Sequence, residues 1–251
     1  MTLPRALLLI LVFAGLPAAR AADCNSIVLR EIAEMPDGGE YSTTPVATIA
    51  LERAAHFEQG RFFVLPSPDS PSFCSGATYM VFLKTIEELR DEGRLELDPD
   101  TLEALVVREG QHDGEGIWGR WNANGPGTAR LFAELRLGPN FADFASARPG
   151  DFMKIFWTGE VGCYEHGHSV VYLGVEMRNG EPYVRYWSSN IPAGYGEKSV
   201  PLRTIAHAIF SRLESPENLD RIKSAPPTDE YLASLLIRRS SFVEALERCG
   251  L

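Results

Sequence analysis

Asn179-Gly180 lies between two apolar runs, Gly167 to Val175 and Tyr183 to Ser188, and a two-residue Asn-Gly connection of this kind joins neighbouring strands as an antiparallel hairpin. Phe152 to Trp157, opened by the turn Arg148-Pro149-Gly150-Asp151, reads as a further buried strand. The chain before it has a helical period. Thr44 to Gln59 sets Val46, Ile49, Ala50, Arg53, Ala54 and Phe57 on one side and stops at Gly60. Cys74 to about Glu92 spaces Ala77, Met80, Val81, Lys84, Ile86 and Leu89 in the same way, and Asp98 is expected to cap a helix reaching about Arg108. Another helix is expected over Thr128 to Leu137. Cys24 to Met35 suits a short helix or strand, and the tail from Leu202 to Leu251 returns to helical spacing, interrupted at Pro216 and Pro226-Pro227. Helices first and an antiparallel meander afterwards predict an α+β domain with extra helices at both ends.

The first residues have the layout of an export signal: a basic start ending at Arg5, an apolar run from Ala6 to Leu16, and Ala19-Arg20-Ala21 as a processing site. The run is shorter than the roughly 20 residues that span a bilayer, and Pro17 follows it. The expectation is a signal over 1–21 and a mature domain over 22–251, with a core at about 60–200 and a helical extension over 201–251, secreted or periplasmic. Asp23 stands where a lipid-modified cysteine is preceded by a small residue, which argues against an anchor at Cys24. Removing the signal takes Arg5 and Arg20 and no acid, so the net charge of -10 becomes -12. That sign argues against nucleic acid and against a polybasic grip on a membrane. Four cysteines, Cys24, Cys74, Cys163 and Cys249, leave open a terminal staple of Cys24 with Cys249 and a disulfide of Cys74 with Cys163.

Pro66-Ser67-Pro68-Asp69-Ser70-Pro71 continues neither helix nor strand, and it delivers the chain into Ser72-Phe73-Cys74. A cysteine in the first turn of a helix meets unpaired backbone N–H groups and the positive end of the helix dipole, both of which favour a thiolate. Ser75-Gly76 follow without bulk, so a backbone or a substrate can approach, and the Cys74 amide points where an oxyanion would form. His168 begins a strand whose His168, Val170 and Tyr172 share a face. A helix-start cysteine with a later strand-start histidine suits a thiol nucleophile and its general base.

These blocks resemble the NlpC-type and CHAP-type amidases of the papain-like superfamily. The likeness lies in Phe73-Cys74-Ser75-Gly76, in Arg148-Pro149-Gly150-Asp151-Phe152, and in Gly167-His168-Ser169-Val170-Val171-Tyr172-Leu173-Gly174. It covers about 100 residues, Phe73 to Gly174. The resemblance implies a papain-like fold, with a nucleophile helix packed on a small antiparallel sheet, Cys74 facing His168, and a polar residue on the next strand to orient the imidazole. There the chain departs from both patterns, and strand parity offers Asn190, with Ser188 as a weaker substitute. Phe73 stands where the family carries an acid. The implied activity is hydrolysis of amide bonds, most simply in the peptides of bacterial peptidoglycan, with no cofactor.

Gly110 to Gly127 holds six glycines and few aliphatics and reads as a loop, either a plain surface excursion or a substrate wall in which Trp118 and Trp121 offer flat surfaces and Asn122 and Asn124 hydrogen bonds, with His166 at the mouth of the cleft as a further substrate contact. His112 is expected to be solvated, and His56 and His207 to sit on helices. Cys163, His166 and His168, with Glu165 or His112, form a rival cluster suited to zinc. Two other readings keep the fold: a thioacyl transferase, and a catalytically silent module binding cell wall or a partner.

Overall fold

The structure is a computed structural model that describes residues 23–108, 110–163, 165 and 167–251. The export pattern over 1–21 and His166 lie outside the described residues. Asp23 caps α1 (Cys24–Ala33) by accepting the Ser26 amide. α2 (Pro45–Ala54) ends short of the expected Gln59, because residues 55–64 fold back on themselves as β1 (Ala55–Glu58) and β2 (Arg61–Val64). Gln59 and Gly60 both take positive φ, 51° and 82°, as a tight hairpin requires. Phe57 and Phe62 pair across it, 5.0 Å between ring centroids, and that contact outweighs the helical spacing.

α3 (Cys74–Asp91) is the central helix, with Ala77, Tyr79, Val81, Phe82, Leu83 and Ile86 all buried. α4 (Pro99–Ala104) starts at Asp98, whose carboxylate accepts the Asp100 amide. α5 (Gly116–Asn122) and α6 (Gly127–Leu135) follow, and then β3 (Asn140–Phe141), β4 (Phe152–Phe156), β5 (Glu160–Gly162), β6 (His168–Arg178), β7 (Glu181–Asn190), β8 (Gly194–Pro201) and β9 (His207–Ser211). The chain closes with α7 (Glu230–Ser234), β10 (Arg239–Ser241) and α8 (Phe242–Arg248). The main sheet has six strands in the order β3-β9-β4-β6-β7-β8, and every pairing in it is antiparallel. Asn179 and Gly180 make the tight turn between β6 and β7, with φ of 50° and 81°. The molecule is thus mixed α+β with antiparallel sheets. Among the described residues no helix is long and apolar enough to cross a membrane.

The tail is helical only in part: α7 and α8 lie in it, but so do two strands. β9 lies inside the sheet between β3 and β4, because Ala208, Ile209 and Phe210 are apolar and buried there. His207 and His56 accordingly lie on strands, His207 stacked on Phe242 with centroids 4.0 Å apart. All four cysteines are free thiols. Cys24 packs in the cluster around α1 and α3, whereas Cys249 packs with Phe156, Tyr231 and Leu235 in a separate one, so no terminal staple forms.

The glycine-rich stretch is not one loop, because its centre, Gly116–Asn122, is the helix α5. Its glycines serve close approach: a Cβ on Gly119 would stand 2.2 Å from the His112 carbonyl oxygen. Arg120 is fully buried, paired with Glu134 and donating to the carbonyls of Gly114, Gly116 and Pro226. Trp118 is 2% exposed and packs on Phe73 and Tyr79, so it belongs to the core and cannot form a substrate wall. Trp118→Ala should therefore cost roughly 3–5 kcal/mol of stability. Chemical denaturation checks this, and an unchanged midpoint would return the side chain to the surface.

Candidate active site

The placement of Cys74 begins upstream of the helix. The Ser42 amide donates to the Ser72 carbonyl and the Ser72 amide to the Glu40 carbonyl, both at 2.9 Å, which pins the end of the proline-rich loop. Ser72 Oγ also meets Ser189 Oγ on β7 at 2.8 Å. Phe73 then takes an extended backbone conformation at the N-cap of α3, and no side chain caps the helix, so the first-turn amides remain for an anion. What approaches Gly76 is apolar protein: a Cβ there would meet the Phe73 ring at 3.1 Å and Leu51 Cδ2 at 3.2 Å. The acid of the resembled pattern is here an aromatic side chain packed under the helix start.

Three further residues hold that first turn in place. Thr78 Oγ1 lies within hydrogen-bonding distance of the Cys74 and Ser75 carbonyls and of Ser169 Oγ on β6, at 3.1 to 3.2 Å. Trp121 Nε1 donates toward the Ser75 carbonyl and Thr78 Oγ1, and Asn122 Oδ1 accepts from Ser75 Oγ at 2.6 Å. Trp121 and Asn122 both border the cleft, with Trp121 Nε1 and Asn122 Oδ1 engaged in positioning α3.

The imidazole comes from the start of β6. His168 neighbours the Cys74 thiol and favours its anion, and His168 Nε2 meets Asn190 Oδ1 at 3.1 Å. The register of β6 with β7, continued from Val171 opposite Trp187, sets His168 level with Asn190. Asn190 Nδ2 donates to the carbonyls of Ser188 and Gly196, so its oxygen faces the ring. An oxygen there requires a proton on Nε2 and leaves Nδ1 to face the sulfur. Trp157 stacks beside the ring, and Tyr186 meets it edge-on with centroids 5.5 Å apart. Ser188 takes no part, since its hydroxyl donates to the Ser169 carbonyl at 2.7 Å. The structure thus brings Cys74, His168 and Asn190 together.

Burial would raise the Cys74 thiol pKa, but the hydrogen bond and charge of His168, then the Lys154 ammonium and the Ser169 amide, bring it down to about 6. Tyr41 Oη lies 3.8 Å from the sulfur. Burial and the neighbouring thiolate push the Tyr41 pKa up, so its hydroxyl keeps its proton and can donate. Lys154, on β4, is pushed down by burial and partly restored by Cys74, Glu165 and Asp113. Cys74, Tyr41, Ser169, Lys154, Glu165 and Asp113 border a cleft of about 860 Å³.

Glu165 is committed to its own turn: its carboxylate accepts from Thr158 Oγ1 and from the amides of Trp157, Thr158 and Gly167. Cys163 borders the cleft as a free thiol, and His112 is exposed. Among the described residues no three such side chains are grouped to hold a metal ion.

Sequence reasoning missed Tyr41, Lys154 and the Ser169 amide. Tyr41 sits in an irregular segment with no period to read, and Lys154 interrupts an apolar strand, which was the available signal. No family model matches the chain, and neither a curated protein nor a solved structure matches it.

Alkylation of Cys74 should rise through pH about 6 and level off above it, because the attacking thiolate accumulates once the pH exceeds the thiol pKa. In His168→Ala the inflection should move upward and the rate at neutral pH fall roughly tenfold or more. Mass-spectrometric labelling across pH reads both; an inflection near that of a free thiol would remove the activation.

Proposed function

We propose that this chain is a papain-like cysteine amidase or endopeptidase of the NlpC/CHAP type, exported to act on peptide stems or cross-links of peptidoglycan. The observation that carries the reading is the Cys74–His168–Asn190 relay at the mouth of an uncapped helix. The three blocks of sequence resemblance and the export pattern of residues 1–21 add the substrate class and the compartment.

The steps follow from the groups present. His168 takes the Cys74 proton, and the thiolate adds to an amide carbonyl carbon. The negative charge that forms on the carbonyl oxygen is met by the first-turn amides of α3 and the Tyr41 hydroxyl. The imidazolium returns its proton to the amine nitrogen as the C–N bond breaks, leaving a thioester on Cys74. His168 then deprotonates a water that attacks the thioester; the C–S bond breaks and a carboxylic acid leaves. Asn190 holds the ring in the tautomer that both halves require.

Cys74→Ala should abolish release of peptides from purified cell wall, and undiminished release from that variant would sink the reading. Asn190→Ala should lower kcat by roughly ten- to a hundredfold with little change in KM, since it acts on ring orientation and not on binding. Steady-state kinetics on a soluble muropeptide separates the two constants.

A further inference from the structure

Lys154 stands apart from every other cation on β4 to β9. It is set into the sheet, cross-strand from Ser169 in the β4–β6 register, and borders the same cleft as Cys74. Its ammonium end crosses Gly167, the residue before the base: a Cβ on Gly167 would lie 2.6 Å from Lys154 Cε and 3.1 Å from Nζ. Gly167 also has φ of 45°, so the chain keeps a residue there that leaves the lysine its path.

Burying an ammonium is costly unless a partner offsets the lost hydration. Lys154 makes no hydrogen bond or ion pair with any described residue. Glu165 and Asp113, the two carboxylates bordering the cleft with it, both have other donors, Glu165 from its own turn and Asp113 from the Asn124 amide. Lys154 is the sole cation among the described residues that border the cleft, in a chain of net charge -10. A partly desolvated, unpaired positive charge beside a nucleophile is a place for an anion carried by the substrate.

We propose that Lys154 is a substrate-binding residue for a carboxylate, so that the cleft takes amides bearing a free carboxylate next to the scissile bond. The assignment rests on Cys74 being the nucleophile of this cleft. A carboxylate is planar and singly charged, and a lysine ammonium meets it as a point charge without fixing its plane. Selection is therefore for charge near the scissile carbonyl, not for one particular side chain.

Two small alkylating reagents test this without any assumption about hydrolysis. Iodoacetate and iodoacetamide form the same C–S bond to the Cys74 thiolate with loss of iodide, and differ in that the first carries a carboxylate. Because both attack the same thiolate, a change in thiol pKa cancels in the ratio of their rates. After normalisation to free glutathione, the wild-type ratio should favour iodoacetate, and Lys154→Met should lower it roughly tenfold. Lys154→Arg should retain most of the preference, and Lys154→Gln guards against misfolding of the methionine variant. With hydrolysable peptides, any loss through the Cys74 thiol is common to both substrates, and Lys154→Met should raise KM for a substrate with a carboxylate beside the cleaved amide roughly tenfold more than for its carboxamide counterpart. An unaltered ratio in both neutral variants overturns the carboxylate site and leaves Cys74 chemistry intact. Equal loss on acidic and neutral peptides makes Lys154 a general charge stabiliser and also overturns it. Failure of both reagents to label Cys74 overturns the nucleophile, and the carboxylate site with it.

Discussion

The contact on which the site depends is the seam where the first turn of α3 meets the first residues of β6. Thr78, Ser169 and Trp121 close that seam with hydrogen bonds that are all buried, and a buried polar group left without its partner costs about 1–3 kcal/mol. The seam therefore has one good arrangement and several poor ones. Its consequence is chemical: the sulfur arrives beside a histidine ring and under a strand amide, both of which favour its anion. Helix dipole and hydrogen-bond direction act together there, where either alone would be offset by the loss of solvent around the sulfur.

The same seam explains why Phe73 is tolerated where an acid is expected. The ring turns under the helix start, between Gly76 and Trp118, and joins the apolar cluster that supports α3 from below. An acid at that point would enter this cluster without a partner. Polarity has instead moved to the other wall of the cleft, where β4 supplies Lys154 and the β5–β6 turn supplies Glu165.

The sequence disclosed most where one physical effect governs a segment. Asn179-Gly180 specifies its hairpin through positive φ at both positions, and the Cys74 helix is announced by the proline-rich loop before it and the apolar spacing after it. Strand parity from Ser188 to Asn190 was enough to pick the residue that meets His168. Legibility failed where tertiary contact decides between local options. The glycines around Trp118 suggest flexibility in isolation, yet they are there because backbones pass within contact distance of one another. His207 to Ser211 is too short to establish a period against its helical surroundings, and β4 and β3 recruit it as a strand. The salt link of buried Asp151 to Arg212, with Asn25 on the same carboxylate, joins residues far apart in the chain, and no local pattern records it.

Each chemical group of the site stands within four residues of a hydrogen bond between separate elements. Cys74 follows Ser72, which is tied to Ser189 of β7. His168 precedes Ser169, which is tied to Thr78 of α3. The Asn190 amide is tied to Gly196 of β8. Relative motion of Cys74 and His168 would have to break at least one of these ties, so the geometry is carried by the sheet and the helix rather than by the loops that border the cleft. Lys154 differs in kind: its backbone is locked in β4, while its ammonium is held by no described neighbour. On the proposed reading the site divides its labour accordingly, with chemistry carried by the framework and recognition by Lys154, the one cation bordering the cleft among the described residues and one without a partner among them.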